Sequence, residues 1–216
     1  MVKKREKIKS IIKQEIHRAY RHKRIIVSTL SLLSLIAIYL FKDSSSVILR
    51  YSTFLGVMVS FYLIDFLFDV RFELKHYILV IIIAVSTILM SNLYFVYPQY
   101  DKVQHFALPI FICSIMFFMV NRLKIDLKWK ITFTILGVIG LLGIFEILEY
   151  VLDLLFNFKL QGVFLRDVTG LNKFNLILNP LDDTMADLAF GVFGCSVYAL
   201  YIWLRNSKAK KSHKDI

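Results

Sequence analysis

The 26 residues ITFTILGVIGLLGIFEILEYVLDLLF, Ile131 to Phe156, decide the fold class. Up to Glu146 the run carries no charge, and as a helix it would reach about 39 Å, beyond the ~30 Å hydrocarbon core of a bilayer. Five further apolar runs flank it: Ile25–Phe41, Tyr51–Phe68, Tyr77–Tyr97, Val103–Val120 and Thr184–Leu204. At 17 to 26 residues each, the six runs suit tilted helices and not the ~10-residue alternating strands of an outer-membrane barrel. The expected fold is all-α, a polytopic membrane bundle of six transmembrane helices. With 57% apolar residues, only 3 Pro and 8 Gly in 216 residues, and a mean hydropathy of +0.63, the chain is too apolar for a soluble domain and excludes disorder. The expected plan is a cytoplasmic lead over residues 1–24, a membrane domain over 25–204 with a long outer loop over 157–183, and a basic cytoplasmic tail over 205–216. Behind a 24-residue basic lead and with no small-x-small site after it, the first run is expected to stay as a signal anchor. Cys113 and Cys195 both fall in apolar runs, where a free thiol behaves as a small hydrophobe.

The net charge of +11 follows the membrane pattern. Ten Lys/Arg lie in residues 1–24, two between runs two and three (Arg71, Lys75), four between runs four and five (Arg122, Lys124, Lys128, Lys130) and five after Leu204, which puts 21 of 27 on one side. Lys42, Arg50, Lys102, Lys159, Arg166 and Lys173 fall on the other. The positive-inside bias therefore predicts a multi-pass protein of the cytoplasmic (inner) membrane with both termini in the cytoplasm, and the basicity needs no nucleic-acid partner. Within the lead, Ile8, Ile11, Ile12, Ile16, Ala19 and Tyr20 recur at helical spacing among Lys and Arg. They predict a basic amphipathic interfacial helix whose partner is the anionic leaflet of the lipid bilayer, or else a docking helix for another protein.

Ionisable groups inside spans cost about 2.5–3.5 kcal/mol each on insertion scales, so their positions are informative. Asp101 and His105 open the fourth run, Glu146, Glu149 and Asp153 occupy the later part of the fifth, and Asp182, Asp183 and Asp187 open the sixth. The spacings i, i+4 and i, i+3, i+7 put each set on one helix face. With run five starting inside at Ile131, Glu146 lies about one turn below the outer interface, the same depth as His105 and Asp187. Gly137, Gly140 and Gly143 on run five and Gly191 and Gly194 on run six predict a close approach of those two helices. Several carboxylates meeting in low dielectric need a divalent cation, an imidazolium at His105 or shared protons. Asp101, Asp153, Asp182 and Asp183 also read as interfacial caps. Asp65 and Asp69 close the second run as boundary charges within reach of Arg71 or Lys75.

The loop from Asn157 to Asp183 is too long for an idle connector. Its apolar residues place it on the outer interface, where it can cover the acidic site, and Arg166 and Lys173 are the candidates for contacting an anionic headgroup or phosphate.

The strings YDKVQHF (Tyr100–Phe106), FEILEYVLD (Phe145–Asp153) and DDTMADLAFGVFG (Asp182–Gly194) resemble, in order and spacing, the signatures of VanZ-like membrane proteins and of the related YjdF-type inner-membrane proteins. The matching positions are Asp101, Lys102, His105, Glu146, Glu149, Asp183, Asp187 and Gly191, over about half the chain. Phe190 stands where VanZ-like members often carry Asn, and the long loop is closer to the YjdF type. The resemblance implies a polytopic envelope protein.

Gly-x-Ser-x-Gly, His-Glu-x-x-His and Gly-Lys-Thr are absent, as is a second intraspan His to pair with His105 on a haem. Two classes of function remain. In the first, Glu146, Glu149, Asp183 and Asp187 hold a hard divalent ion such as Mg²⁺ or Mn²⁺, His105 or Asp101 moves a proton, and the substrate is an amphiphilic, lipid-like envelope molecule. In the second, the acidic site belongs to a non-enzymatic cation- or proton-coupled carrier, or the chain is a membrane partner protein.

Overall fold

The computed structural model describes residues 22–41, 45–91, 93–97, 99–156, 160–166 and 173–212, with the side chains of 45–46, 95–96, 164–166, 173–176 and 208–212 outside that description. The amphipathic helix expected over residues 1–24 lies outside the described residues, except for its last three. The chain forms two compact units, residues 1–90 and 91–216.

In the first unit, α1 (His22–Leu40), α2 (Ser45–Leu67) and α3 (Leu74–Ala84) are followed by a π-helical turn, Val85–Leu89. Phe54, Met58, Val70, Phe72, Tyr77, Val80 and Ala84 make its core. Asp65 is not the solvated boundary charge its position suggests. It is 2% exposed, accepts from Lys23 Nζ at 3.0 Å and the Tyr77 hydroxyl at 2.7 Å through one oxygen, and accepts from the Phe72 backbone N–H at 2.8 Å through the other. A buried carboxylate is tolerable when its lone pairs are filled in this way, and the filling ties α1, α2, the connecting turn and α3 together. Asp69 does pair with Arg71, in an exposed bidentate bridge of 2.8 Å across a turn in which both residues are left-handed (φ 46° and 56°).

Among the described residues, five helices are long and apolar enough to cross a membrane: His22–Leu40, Val47–Leu67, Gln99–Val120, Leu127–Phe156 and Pro180–Ser207. The expected third run, Tyr77–Tyr97, is broken instead. Its regular part ends where the hydroxyls of Ser86 and Thr87 both donate to the Ile83 carbonyl, at 2.9 and 2.8 Å, and the Met90 N–H reaches back five residues to Val85. Hydroxyls that bond the preceding turn widen and bend a helix, and here they mark the π turn.

The second unit opens with a short helix α4 (Leu93–Val96), followed by α5 (Gln99–Val120), α6 (Leu127–Phe156), an antiparallel hairpin of β1 (Val163–Arg166) and β2 (Lys173–Leu178), and α7 (Pro180–Ser212). The tail expected from residue 205 thus continues α7 to Ser212. Asn179 caps α7 by accepting the Asp182 N–H at 2.9 Å, Pro180 takes the first helical position, and Asp182 and Asp183 sit in the first turn, where the positive end of the helix dipole favours acids. Cys113, Val138, Cys195, Tyr198 and Ile202 form the core among α5, α6 and α7. His105 faces Asp187, Cys113 faces Cys195 and Phe117 faces Tyr198, so α5 and α7 run parallel at an offset of about 82 residues.

The closest backbone approach falls between α5 and α7, at Gly194, while α6 meets α7 at Gly191 through Leu142 and not through its own glycines. A Cβ at Gly194 would run into the Phe106 carbonyl oxygen, and Pro109 of α5 packs against the same point. A Cβ at Gly191 would strike Leu142. Gly140 and Gly143 have nothing within 4 Å of that position, and Gly137 meets only Met116. Outward positions carry large apolar side chains such as Leu136, Ile147 and Leu154, as helices facing lipid require.

Candidate functional site

The first two turns of α5, the last third of α6 and the first turns of α7 bring their acidic stripes to one place. Lys102 is at its centre. Its ammonium lies 2.9 Å from Asp101 Oδ2 and 2.6 Å from Asp187 Oδ1, and it also donates to Asp183 Oδ1. Asp183 and Asp187 are 5% and 3% exposed. Three carboxylates on two helices therefore share one cation, each through a charge-assisted hydrogen bond.

His105 stands beside this centre. Its Nε2 is 3.5 Å from Asp101 Oδ1, and its Nδ1 is 4.0 Å from Glu146 Oε1 and 3.9 Å from Asp187 Oδ1. The two longer distances are electrostatic contacts and not hydrogen bonds. Glu146 is buried and accepts from the Thr184 hydroxyl, which in turn receives Gln161 Nε2 at 3.2 Å. Glu149 lies within electrostatic reach of Glu146, Asp101, Asp187 and Asp183. Five carboxyl groups thus meet one lysine and one histidine, and in low dielectric that imbalance requires protons or a further cation.

The hairpin is fastened to the cluster at its base. Asp153 accepts the Leu160 and Gln161 backbone N–H groups at 2.6 and 2.8 Å, which makes it a loop anchor. Asp183 accepts the Gly162 N–H at 2.8 Å through the oxygen that does not face Lys102. Gly162 has φ 88°, a conformation that suits glycine. Arg166 and Lys173 are register partners across the hairpin, and their side chains lie outside the described residues.

Among the described residues, the donor atoms of Asp101, His105 and Asp187 lie within 4.8 Å of one another, a spacing that one metal ion can span. The expected ligand quartet was Glu146, Glu149, Asp183 and Asp187; in the structure Asp183 is engaged by Lys102 and Gly162, and Asp101 and His105 stand nearer to Asp187. Sequence reasoning missed three groups. Lys102 stands among the matching motif positions but charge counting reads it as an outer loop charge and gives it no role, although a lysine in the first turn of a span that meets three carboxylates is their natural counter-ion. Tyr94, whose hydroxyl donates to Gln104 Oε1, and the buried Gln104 itself carry no charge and gave no signal.

Comparison with known proteins adds one finding. No curated protein and no solved structure matches the chain. A family model described as "Predicted membrane protein (DUF2238)" matches residues 23–208, which takes in the whole acidic cluster and, but for His22, the five spans among the described residues, and this integral membrane protein belongs to that family.

Proposed function

We propose that the acidic cluster binds a hard divalent cation, Mg²⁺ or Mn²⁺, and that the protein uses it to act on an amphiphilic envelope molecule. The observation that carries this reading is the donor set Asp101, His105 and Asp187, within 4.8 Å, embedded in an excess of carboxylates that Lys102 only partly offsets. Lys102 holds the acids together in the ion's absence, and a divalent ion, with twice the charge, competes for the same oxygens. His105 and Asp101, 12% and 18% exposed, are the groups able to exchange a proton with a bound molecule. Glu146, Glu149 and Asp183 extend the ligand set or tune it, and Arg166 and Lys173 on the hairpin are positioned in sequence to meet an anionic headgroup.

In this reading the chain crosses the inner membrane six times, with both termini cytoplasmic and the cluster outside. The charge distribution supports it, and the apolar helical stretch Leu74–Leu89 is the candidate for the further crossing. The order Asp101-Lys102…His105, Glu146…Glu149 and Asp183…Asp187…Gly191 supports kinship with VanZ-like and YjdF-type proteins.

The internal counter-charge on Lys102 favours a second reading, a non-enzymatic carrier or membrane partner protein in which cation or proton exchange at the cluster accompanies no bond cleavage. Mn²⁺ binding to the protein in nanodiscs separates these from a purely structural cluster. Saturable binding that weakens at least tenfold in Asp187→Asn and in Glu146→Gln is expected. Binding unchanged in both variants, or absent at millimolar Mn²⁺, overturns the cation reading.

A further inference from the structure

Gln104 is 4% exposed, and its carboxamide is used at one end only. The Tyr94 hydroxyl donates to Oε1, while Nε2 has no hydrogen-bond partner among the described residues. Turning the amide over leaves the other end unmatched, so one polar end remains open in either orientation. A buried amide of this kind is costly to leave unfilled.

Its position is informative. Gln104 is one turn beyond Asp101 and adjacent to His105, and the Tyr94 hydroxyl that holds it lies within electrostatic reach of Asp101, Glu149 and Asp187. The amide thus stands one helical turn from Asp101 on the same helix, in the neighbourhood of the acidic cluster. Beside the same cluster, the Phe145 ring lies 6.4 Å from the His105 ring and is 49% exposed on the apolar surface of α6.

We propose that Tyr94 and Gln104 make the cluster a site for a hydroxyl-bearing headgroup, a sugar or other polyol, carried by an amphiphile. A hydroxyl is the group that fits both the amide and the acids: it accepts from the Gln104 N–H and donates to a neighbouring carboxylate. A phosphate oxygen only accepts and meets the repulsion of the acids, while an ammonium only donates and finds Lys102 already in place. Phe145 provides an exposed aromatic face for the apolar part of the same molecule. The amphiphilic character of the ligand rests on the function proposed above.

The test is thermal unfolding in nanodiscs prepared without glycoside detergents. Octyl glucoside is compared with a methyl-capped octyl oligoethylene glycol, which matches its chain and has no hydroxyl. The expected result is a midpoint raised by about 5 °C by the glucoside at saturation and by less than about 1 °C by the capped amphiphile. Gln104→Met, which keeps length and bulk, is expected to weaken the glucoside response at least tenfold in concentration. Free glucose alone is expected to give a weaker response; an equal one supports the hydroxyl chemistry and assigns it to a free polyol. Equal shifts from both amphiphiles in the unaltered protein overturn the proposal, as does an unchanged glucoside response in Gln104→Met. If that variant does not fold, the two amphiphiles on the unaltered protein still decide. Mn²⁺ is titrated in the same nanodiscs, so a lost cation response with the glucoside response intact counts against the cation site alone, and the reverse counts against the headgroup site alone.

Discussion

The Lys102 ammonium lies 2.6 Å from the Asp187 carboxylate, although the two residues are 85 positions apart and on different helices. Because Asp101 and Asp183 share the same ammonium, removing it leaves three acids uncompensated. Lys102→Met is expected to destabilise the protein by about 3 kcal/mol, the usual cost of breaking a largely buried pair. Adding Asp187→Asn to it should recover part of the loss, which a double-mutant cycle of thermal or denaturant unfolding will show. A Lys102→Met protein as stable as its parent would mean that the ammonium does not hold the cluster.

Gly194→Ala and Gly140→Ala form a matched pair. The first drives a methyl into the Phe106 carbonyl oxygen, which is backbone and cannot rotate away; the second meets open space. Overpacking at Gly194 should cost about 1–3 kcal/mol, whereas Gly140→Ala should be neutral or stabilising by up to about 1 kcal/mol through helix propensity. Equal effects in thermal unfolding would contradict the placement of the close contact between α5 and α7.

These two pairs also show how far the sequence could be read. Apolar runs locate α1, α2, α5, α6 and α7, because length and hydropathy are all a span requires. Hydropathy is blind to where backbone carbonyls find donors, so the break at Ser86 and Thr87 was invisible to it. Helical spacing put His105, Glu146 and Asp187 together correctly, since an acid buried in a bundle has few other places to go. Glycine spacing cannot name the neighbour, and the stripe on α6 proved idle. Lys102 was missed because counting charges by loop treats a lysine at the start of a helix as solvated, and Tyr94 and Gln104 because neutral polar residues leave no mark in composition or charge.

Asp65 carries a third prediction. It fills three donors, from Lys23, Tyr77 and the Phe72 backbone. Asp65→Asn keeps the shape but strands the Lys23 charge, and should cost about 3–5 kcal/mol, while Tyr77→Phe removes one neutral donor and should cost about 1 kcal/mol. A larger loss from Tyr77→Phe than from Asp65→Asn would show that the phenol, not the ion pair, holds the knot.

The orientation can be tested with a single cysteine at Asn172 in a background lacking Cys113 and Cys195. If the loop is outside, a membrane-impermeant thiol reagent labels it in intact cells. Labelling only after permeabilisation would reverse the topology and turn the acidic cluster toward the cytoplasm.

The last prediction concerns the register of α5 against α7. The offset that sets His105 against Asp187 is 82 residues, and the same offset sets Cys113 against Cys195, with sulfurs 3.7 Å apart and both side chains fully buried. Eight residues separate the two levels on each helix, about 12 Å of rise, so two parallel helices keep one register from the acidic cluster to the thiols. A slip of one residue would turn a side chain by about 100° and carry the thiols apart, while the acids, being longer and more numerous, could still find partners. The thiol pair is therefore the stricter gauge. With a protease site inserted in the hairpin loop, membranes are treated with iodine, which enters lipid and takes two electrons from the two thiols as they join. After cleavage the halves carrying α5 and α7 should stay linked without reductant and separate with it, and Cys195→Ala should abolish the link. Halves that separate in the unaltered pair after oxidation would show that the helices do not share this register, and the juxtaposition of Lys102 with Asp187 would lose its support.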